Sequence, residues 1–249
     1  MFSASGPLGI VASTTLWITA LIMILGTLAF TFRSFRAATR IKHFYYVAGL
    51  VTLIAATLYM LMASGYGSSF QNSHLFVYGR YIDWTFTTPL LLLDLALIAL
   101  PRNFPNRLAV IATVIGADVY MILTGLVATG IRSDIRWAFF GVSCAGFFAI
   151  LYFILVKMTP EANMRTYEVQ RHYRTLSVTL MALWFCYPIV WALGGEGFGI
   201  LNFSAEVILY AVLDIAAKVG FGFLVLSNPV ALMEAESTEA PISSVASQF

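Results

Sequence analysis

Charge is what this chain has least of. Only 10% of its 249 residues are Asp, Glu, Lys or Arg, where a soluble domain carries roughly 25%. That deficit excludes a water-soluble globule, because too few polar side chains exist to cover its surface. A hydrophobic content of 60% and a mean hydropathy of +0.85 exclude a disordered chain. A basic excess is also missing. Fourteen Lys and Arg stand against twelve Asp and Glu, which leaves no surplus for a polyanion and excludes nucleic acid as a partner. Cysteine is scarce: Cys144 and Cys186 lie in apolar runs with no His or Cys at ligand spacing. No metal site and no disulfide framework is expected, and both read as buried free thiols. The first residues, MFSASGPLGIVASTT, carry no basic n-region. The first apolar run is therefore read as an uncleaved anchor rather than a signal peptide.

Long apolar runs are what the chain does have. Seven lie between charge or turn residues, at about 8–32, 43–65, 77–100, 107–129, 136–157, 175–194 and 203–227. Each is near the ~20 residues that a membrane-crossing helix needs. Transmembrane strands would be about half as long and alternate in polarity, which Leu90 to Leu93 do not. The expected fold is an all-α membrane protein, a bundle of seven transmembrane helices. Links one, three and five hold Arg33, Arg36, Arg40, Lys42, Arg102, Arg107, Lys157, Arg165, Arg171 and Arg174; the opposite links hold only Arg132 and Arg136. The positive-inside rule then sets the N-terminus outside and the C-terminus in the cytoplasm. Residues 1–228 read as one membrane domain and 229–249, with Pro, Ser, Ala and three Glu, as a disordered cytoplasmic tail.

Six ionisable residues interrupt the apolar runs: Arg80, Asp83, Asp94, Asp118, Asp214 and Lys218. Each costs about 2.5–3.5 kcal/mol at mid-membrane, a cost that marks functional sites more often than structural pairs. Arg80, Asp83, Thr87 and Asp94 fall on one stripe of the third helix, and Asp83 lies about 16 Å of helix rise outward of Asp94. Asp214 and Lys218 stand one turn apart on the seventh, so the Lys218 ammonium can face both Asp83 and Asp214. A desolvated lysine loses its proton readily and forms Schiff bases with aldehydes. Trp84, Trp184, Tyr187 and Trp191, with Met121 and Phe140, offer an apolar slot for a long flat ligand.

With these residues in view, GRYIDWTFTTPLLLLDLAL (79–97), WFCYPIVWALGGEG (184–197) and LDIAAKVGFG (213–222) resemble the microbial rhodopsins of the bacteriorhodopsin type, light-driven proton pumps, across all seven spans. The resemblance implies that Lys218 holds all-trans retinal as a protonated Schiff base, with Asp83 as counterion and proton acceptor. It makes Asp214 the second counterion and Arg80 the cation of the outward path. Thr87 and Asp94 complete the family's Asp-Thr-Asp pattern, with Asp94 as cytoplasmic donor, and Glu196 and Glu206 fall at the proton-release pair. Tyr59, Trp84, Trp184, Tyr187 and Trp191 would line the retinal, with Met121, Gly125 and Ser143 beside it and Asp118 bonded to Thr88. Asp83 would face both a cation and Arg80. Asp94, ringed by leucines, is expected to rest protonated, as a donor must. Glu196 and Glu206 would share one proton.

The chain departs from the family at Ala48, where pumps commonly set a hydroxyl against the inner donor; Thr52 lies one turn away. Cys144, Cys186 and Thr85 are also unlike the commonest choices, which leaves the colour open. His74 reads as a plain link histidine. The partners implied are membrane lipid, protons and a homo-oligomer, and the location is a membrane, the plasma membrane by the family's habit. A sensory photoreceptor of the same fold is the alternative, disfavoured by the carboxylate at Asp94. Asp83 argues against an anion pump, and the dry inner half of the third helix against a channel.

Overall fold

A chain in hydrocarbon satisfies its backbone only by internal hydrogen bonds, so each apolar run folds as a helix. The computed structural model describes residues 8–71, 74–131 and 133–237 and contains seven helices long and apolar enough to cross a membrane. They are α1 (Ile10–Ser34), α2 (Lys42–Ala63), α3 (Gly79–Ala99), α4 (Arg107–Gly130), α5 (Ile135–Asn163), α6 (Tyr167–Leu193) and α7 (Phe203–Val225). Neighbours in sequence pack side by side from α1 to α5. Helix α6 lies against α3 and α7, and α7 returns to α1 and α2. Arg132, residues 238–249 and the side chain of His74 lie outside the described residues.

Burial is arranged for an integral membrane protein. Leu21, Leu25, Leu28 and Phe32 on α1 are more than half exposed, whereas Arg80, Asp83, Asp94, Asp118, Asp214 and Lys218 are all buried. Apolar side chains cover the outside because hydrocarbon, not water, is the solvent there. The two cysteines are free, as expected, but half-buried rather than buried.

Side-chain caps set several helix starts. Thr166 Oγ1 accepts from the Val169 N–H at 3.4 Å and Asn202 Oδ1 from the Ala205 N–H at 2.9 Å, opening α6 and α7. The cap at Thr166 starts α6 eight residues before the expected 175, so Glu168, Arg171 and Arg174 ride on two turns beyond the apolar stretch. Pro89 and Pro188 sit inside α3 and α6. Two turns widen to π geometry, Phe153–Met158 in α5 and Ile215–Gly220 in α7; such turns mark functional sites frequently.

The all-α bundle stands, and its α2–α3 link carries a short antiparallel ribbon, β1 (Ser69–Gln71) with β2 (His74–Phe76). One expectation is corrected. The bundle does not stop at 228, because residues 229–235 form an eighth helix, α8 (Pro229–Ala235), which buries Ala231, Leu232 and Ala235. Asn228 caps it by accepting from the Ala231 N–H at 3.1 Å, and Pro229 presets φ at the first helical position. Composition suggested a solvated tail, but three small or apolar side chains on one face are enough to dock a two-turn helix.

Candidate functional site around Lys218

Helices α3 and α7 bring the charged residues together. Lys218, in the π turn of α7, is 2% exposed. Its Nζ donates to Asp214 Oδ2 at 2.7 Å and to Asp83 Oδ2. The two carboxylates are not equivalent. Asp214 also accepts from the Tyr59 hydroxyl (2.9 Å), the Tyr187 hydroxyl (2.7 Å) and the Trp84 indole N–H (3.1 Å). Among the described residues Asp83 Oδ1 has no partner. Thr87 Oγ1 bonds the Asp83 carbonyl at 2.8 Å, so its hydroxyl is committed to the backbone rather than to that free oxygen.

Outward of this centre, Arg80 is buried but does not face Asp83, and that expectation is corrected. Its Nη1 donates to Glu206 Oε1 at 2.8 Å and its guanidinium stacks over the Tyr210 ring at 4.5 Å. Glu206 Oε2 accepts from the Gly195 N–H at 3.1 Å. A Cβ on Gly194 would stand 2.8 Å from that oxygen, so the turn after α6 closes on Glu206 only because residue 194 is glycine. Glu196, in the α6–α7 link, is buried beside it. Burial and then the Glu206 charge push the Glu196 carboxyl up to about 7, which suits a site that holds a proton near neutrality.

Inward, Asp94 is 2% exposed and its Oδ1 has no partner among the described residues. Thr52 does not replace the hydroxyl missing at Ala48. It donates to the Ala48 carbonyl (3.0 Å) and the Gly49 carbonyl (3.1 Å) and accepts from Thr27 (2.9 Å). Asp94 stands alone, within a cluster of leucines from α3 and α6.

Next to this centre, and joined to it through Asp214, lies a mostly apolar cavity. Trp84, Thr88, Met121, Gly125, Ser143, Trp184, Tyr187 and Trp191 line it. Phe140 stacks on Trp191 at 4.2 Å, and a Cβ on Gly125 would stand 3.2 Å from Ser143 Oγ. Two wall residues, Trp84 and Tyr187, also bond Asp214, so the cavity ends at the carboxylate that Lys218 faces. Thr88 donates to Asp118 Oδ2 at 2.7 Å behind the wall. A long, flat, apolar aldehyde fits this set: aromatic faces sandwich it and a buried amine terminates its slot. Tyr59, like Lys218, lies outside the cavity lining; its hydroxyl bonds Asp214 and its ring centroid stands 5.9 Å from Lys218 Nζ.

Residues 11–231 match the family described as bacteriorhodopsin-like protein. The chain belongs to the bacteriorhodopsin-like family. Bacteriorhodopsin of Haloterrigena sp. (strain arg-4) is 42% identical over 238 residues, 92% of this chain and 93% of that one. Archaerhodopsin-2 of Halobacterium sp. (strain aus-2) is 37% identical over 234 residues, 90% of this chain and 88% of that one. The thermophilic rhodopsin from Rubrobacter xylanophilus superposes with a TM-score of 0.87 at 44% identity, covering 90% and 99% of the two chains. The light-driven proton pump Coccomyxa subellipsoidea rhodopsin gives 0.82 at 37% identity, covering 89% and 98%.

Sequence reasoning missed several parts of this bacteriorhodopsin-like site. Tyr210 carries the Arg80 stack, and Tyr81, Ile122, Phe147 and Pro188 complete the wall. Aromatic and aliphatic residues at helical spacing look alike whether they line a site or fill a core. Pro188 alone gave a signal, as an imide inside an apolar helix.

Proposed function

We propose that this bacteriorhodopsin-like protein is a light-driven outward proton pump of the plasma membrane, with its N-terminus outside and its C-terminus in the cytoplasm. Retinal, bound covalently through Lys218 as a Schiff base, would supply light absorption and an isomerisation that lowers proton affinity at the Lys218 nitrogen. The observation that carries the reading is the inequality of the two carboxylates. Asp214 is held as an anion by Lys218 and three neutral donors, and a carboxylate so satisfied gains little from a proton. Among the described residues Asp83 has only the Lys218 bond to Oδ2 and an unpartnered Oδ1, so the Asp83 carboxylate, reached through Oδ2, is where a proton leaving the Lys218 nitrogen goes.

The remaining steps follow from position. Protonation of Asp83 removes a negative charge from the centre, and Arg80, paired with Glu206, is the buried cation on the outward side of it. A proton shared by Glu196 and Glu206 leaves to the medium when that balance shifts. Asp94, on the inner side, returns a proton to the Lys218 nitrogen and is refilled from the cytoplasm. Its neutral resting form needs no partner charge, which suits its isolation among leucines. Asp118 and Thr88 fix one wall of the chromophore slot and take no part in transfer.

The direct test is illumination of cells or oriented vesicles in unbuffered medium. The outer medium should acidify, and a protonophore should abolish the change. Asp83→Asn should abolish it too and red-shift the pigment, because the lost charge stabilised the ground-state cation. A wild-type pigment that cycles in light but moves no proton would overturn the pump and favour the sensory reading.

A further inference from the structure

Asp94 is closed off from the inner side by an apolar cluster that α8 helps to build. Leu232 and Ala235 of α8 belong to the same buried cluster as Leu91, Leu92 and Leu95, which flank Asp94 on α3. A proton from the cytoplasm reaches Asp94 only if water enters that cluster, and α8 is a two-turn piece held at both edges by polar contacts rather than by a long packed face.

The two edges hold different parts of the bundle. On the α6 side, Asn228 Nδ2 donates to Glu168 Oε2 at 2.9 Å, and Thr166 Oγ1 donates to Glu234 Oε2. Arg165 Nη2 caps the end of α8, donating to the carbonyls of Glu234 (2.7 Å) and Ala235 (2.9 Å), a favourable place for a cation. On the opposite side, Glu236 accepts from Arg102 of the α3–α4 link and lies 3.4 Å from Nε2 of His43 at the start of α2. Arg107 and Arg165 add positive charge around it. Although burial pushes the Glu236 carboxyl up, its bonds to His43 and Arg102 win and hold it at about 2, so at neutral pH it is a buried anion clamped by cations. Among the described residues the polar tie of α8 to the α2–α3 side is Glu236, held by charge, whereas the α6 side is held by several independent bonds.

We propose that α8 is the inner gate of the proton-uptake path, hinged on α6 through Glu168, Arg165 and Thr166 and latched by Glu236 between Arg102 and His43. When the latch parts, Leu232 and Ala235 leave the cluster and water reaches Asp94; Glu236 is thus a positioning residue for reprotonation, not a carrier of the proton. The proposal rests on Asp94 as the inner donor.

The test pairs flash spectroscopy of pigment recovery with hydrogen–deuterium exchange of the α8 amides, on the full chain with retinal bound. Glu236→Gln should speed recovery about threefold, the scale expected for one partly exposed charge pair, and raise dark exchange over residues 231–236 by a similar factor. Arg102→Gln breaks the latch from its exposed end without touching the buried cluster and should do the same. Combining the two should add nothing, since both remove one contact. Salt at about 1 M, where screening acts over about 3 Å, should speed wild type but not the double variant. Faster exchange with unchanged or slower recovery would overturn the gate, as would no change in either readout. Asp94→Asn, measured alongside, separates the two readings. If it slows recovery while the latch variants do nothing, the gate alone fails; if it recovers as wild type, the donor assignment and the gate fall together.

Discussion

From Lys218 outward, each buried charge stands beside another. Lys218 has Asp83 and Asp214, Arg80 has Glu206, and Glu196 adjoins Glu206. From Lys218 inward, the core is largely apolar around Asp94, whose Oδ1 has no partner among the described residues. On the function proposed above, the contrast lets one core conduct in a single direction. The outer half gathers its charges closely enough that a charge moved at Asp83 would change the field at Arg80, Glu206 and Glu196, because charges in a dry medium couple strongly. A dry inner half isolates its acid, so the inner side responds only when its packing opens.

The comparison breaks completely at Lys218. Lys218→Ala should abolish the pigment, since Lys42 and Lys157 lie near helix ends, away from the cavity. The check is visible absorbance after retinal is added to the purified protein, and covalent pigment in that variant would remove the centre from which both halves are defined. Next in size is Asp94→Asn. It should leave the dark colour unchanged and make recovery slow by about tenfold per pH unit, because the proton must then arrive from bulk water in a bimolecular step. Added azide, a small permeant acid, should restore the rate; decay kinetics between about pH 5 and 9 measure both. A variant as fast as wild type at every pH would mean that the inner half has no donor.

A smaller effect sharpens the outer half. Glu196 is pushed up to about 7 by burial and by Glu206, so below that pH the pair holds a proton ready to leave, and above it the proton is already gone. Early release, followed with a pH-sensitive dye in the outer medium, should therefore fall away as pH rises through about 7 and return late in the cycle instead. Glu196→Gln should erase that transition while changing recovery less than twofold. A wild-type release signal flat from about pH 5 to 9 would detach Glu196 from the outer network.

Much of this contrast was legible in the chain. Polar side chains inside apolar runs are costly enough to stand out, which is why the Arg80-Asp83-Thr87-Asp94 stripe and the Asp214–Lys218 pair could be read from spacing alone. Spacing along one helix says nothing about which partner on another helix a long side chain prefers. Arg80 accordingly chose Glu206 and the Tyr210 ring over Asp83. The π turn around Lys218 left no trace, because a widened turn needs no special residue. Helix α8 was hidden by its composition: Glu and Ser after residue 233 look solvated, and only Asn228-Pro229 signalled a helix start. Its docking depends on Arg102, Arg165 and His43, which come from three distant parts of the sequence.

Helix α6 is also a lever. Pro188 lies in the chromophore wall and removes a backbone hydrogen bond there, while the helix runs on past the apolar stretch to Tyr167. The arm between them is about 31 Å long at 1.5 Å per residue. A tilt of about 10° at Pro188 would carry its tip sideways by about 5 Å, roughly the width of a water channel. The tip is where Arg165, Thr166 and Glu168 grip α8, so a displacement too small to disturb packing at the chromophore arrives at the α8 end of the bundle multiplied. The mechanical advantage comes from the eight residues between Thr166 and Thr175 that hydropathy alone would have left out of the helix.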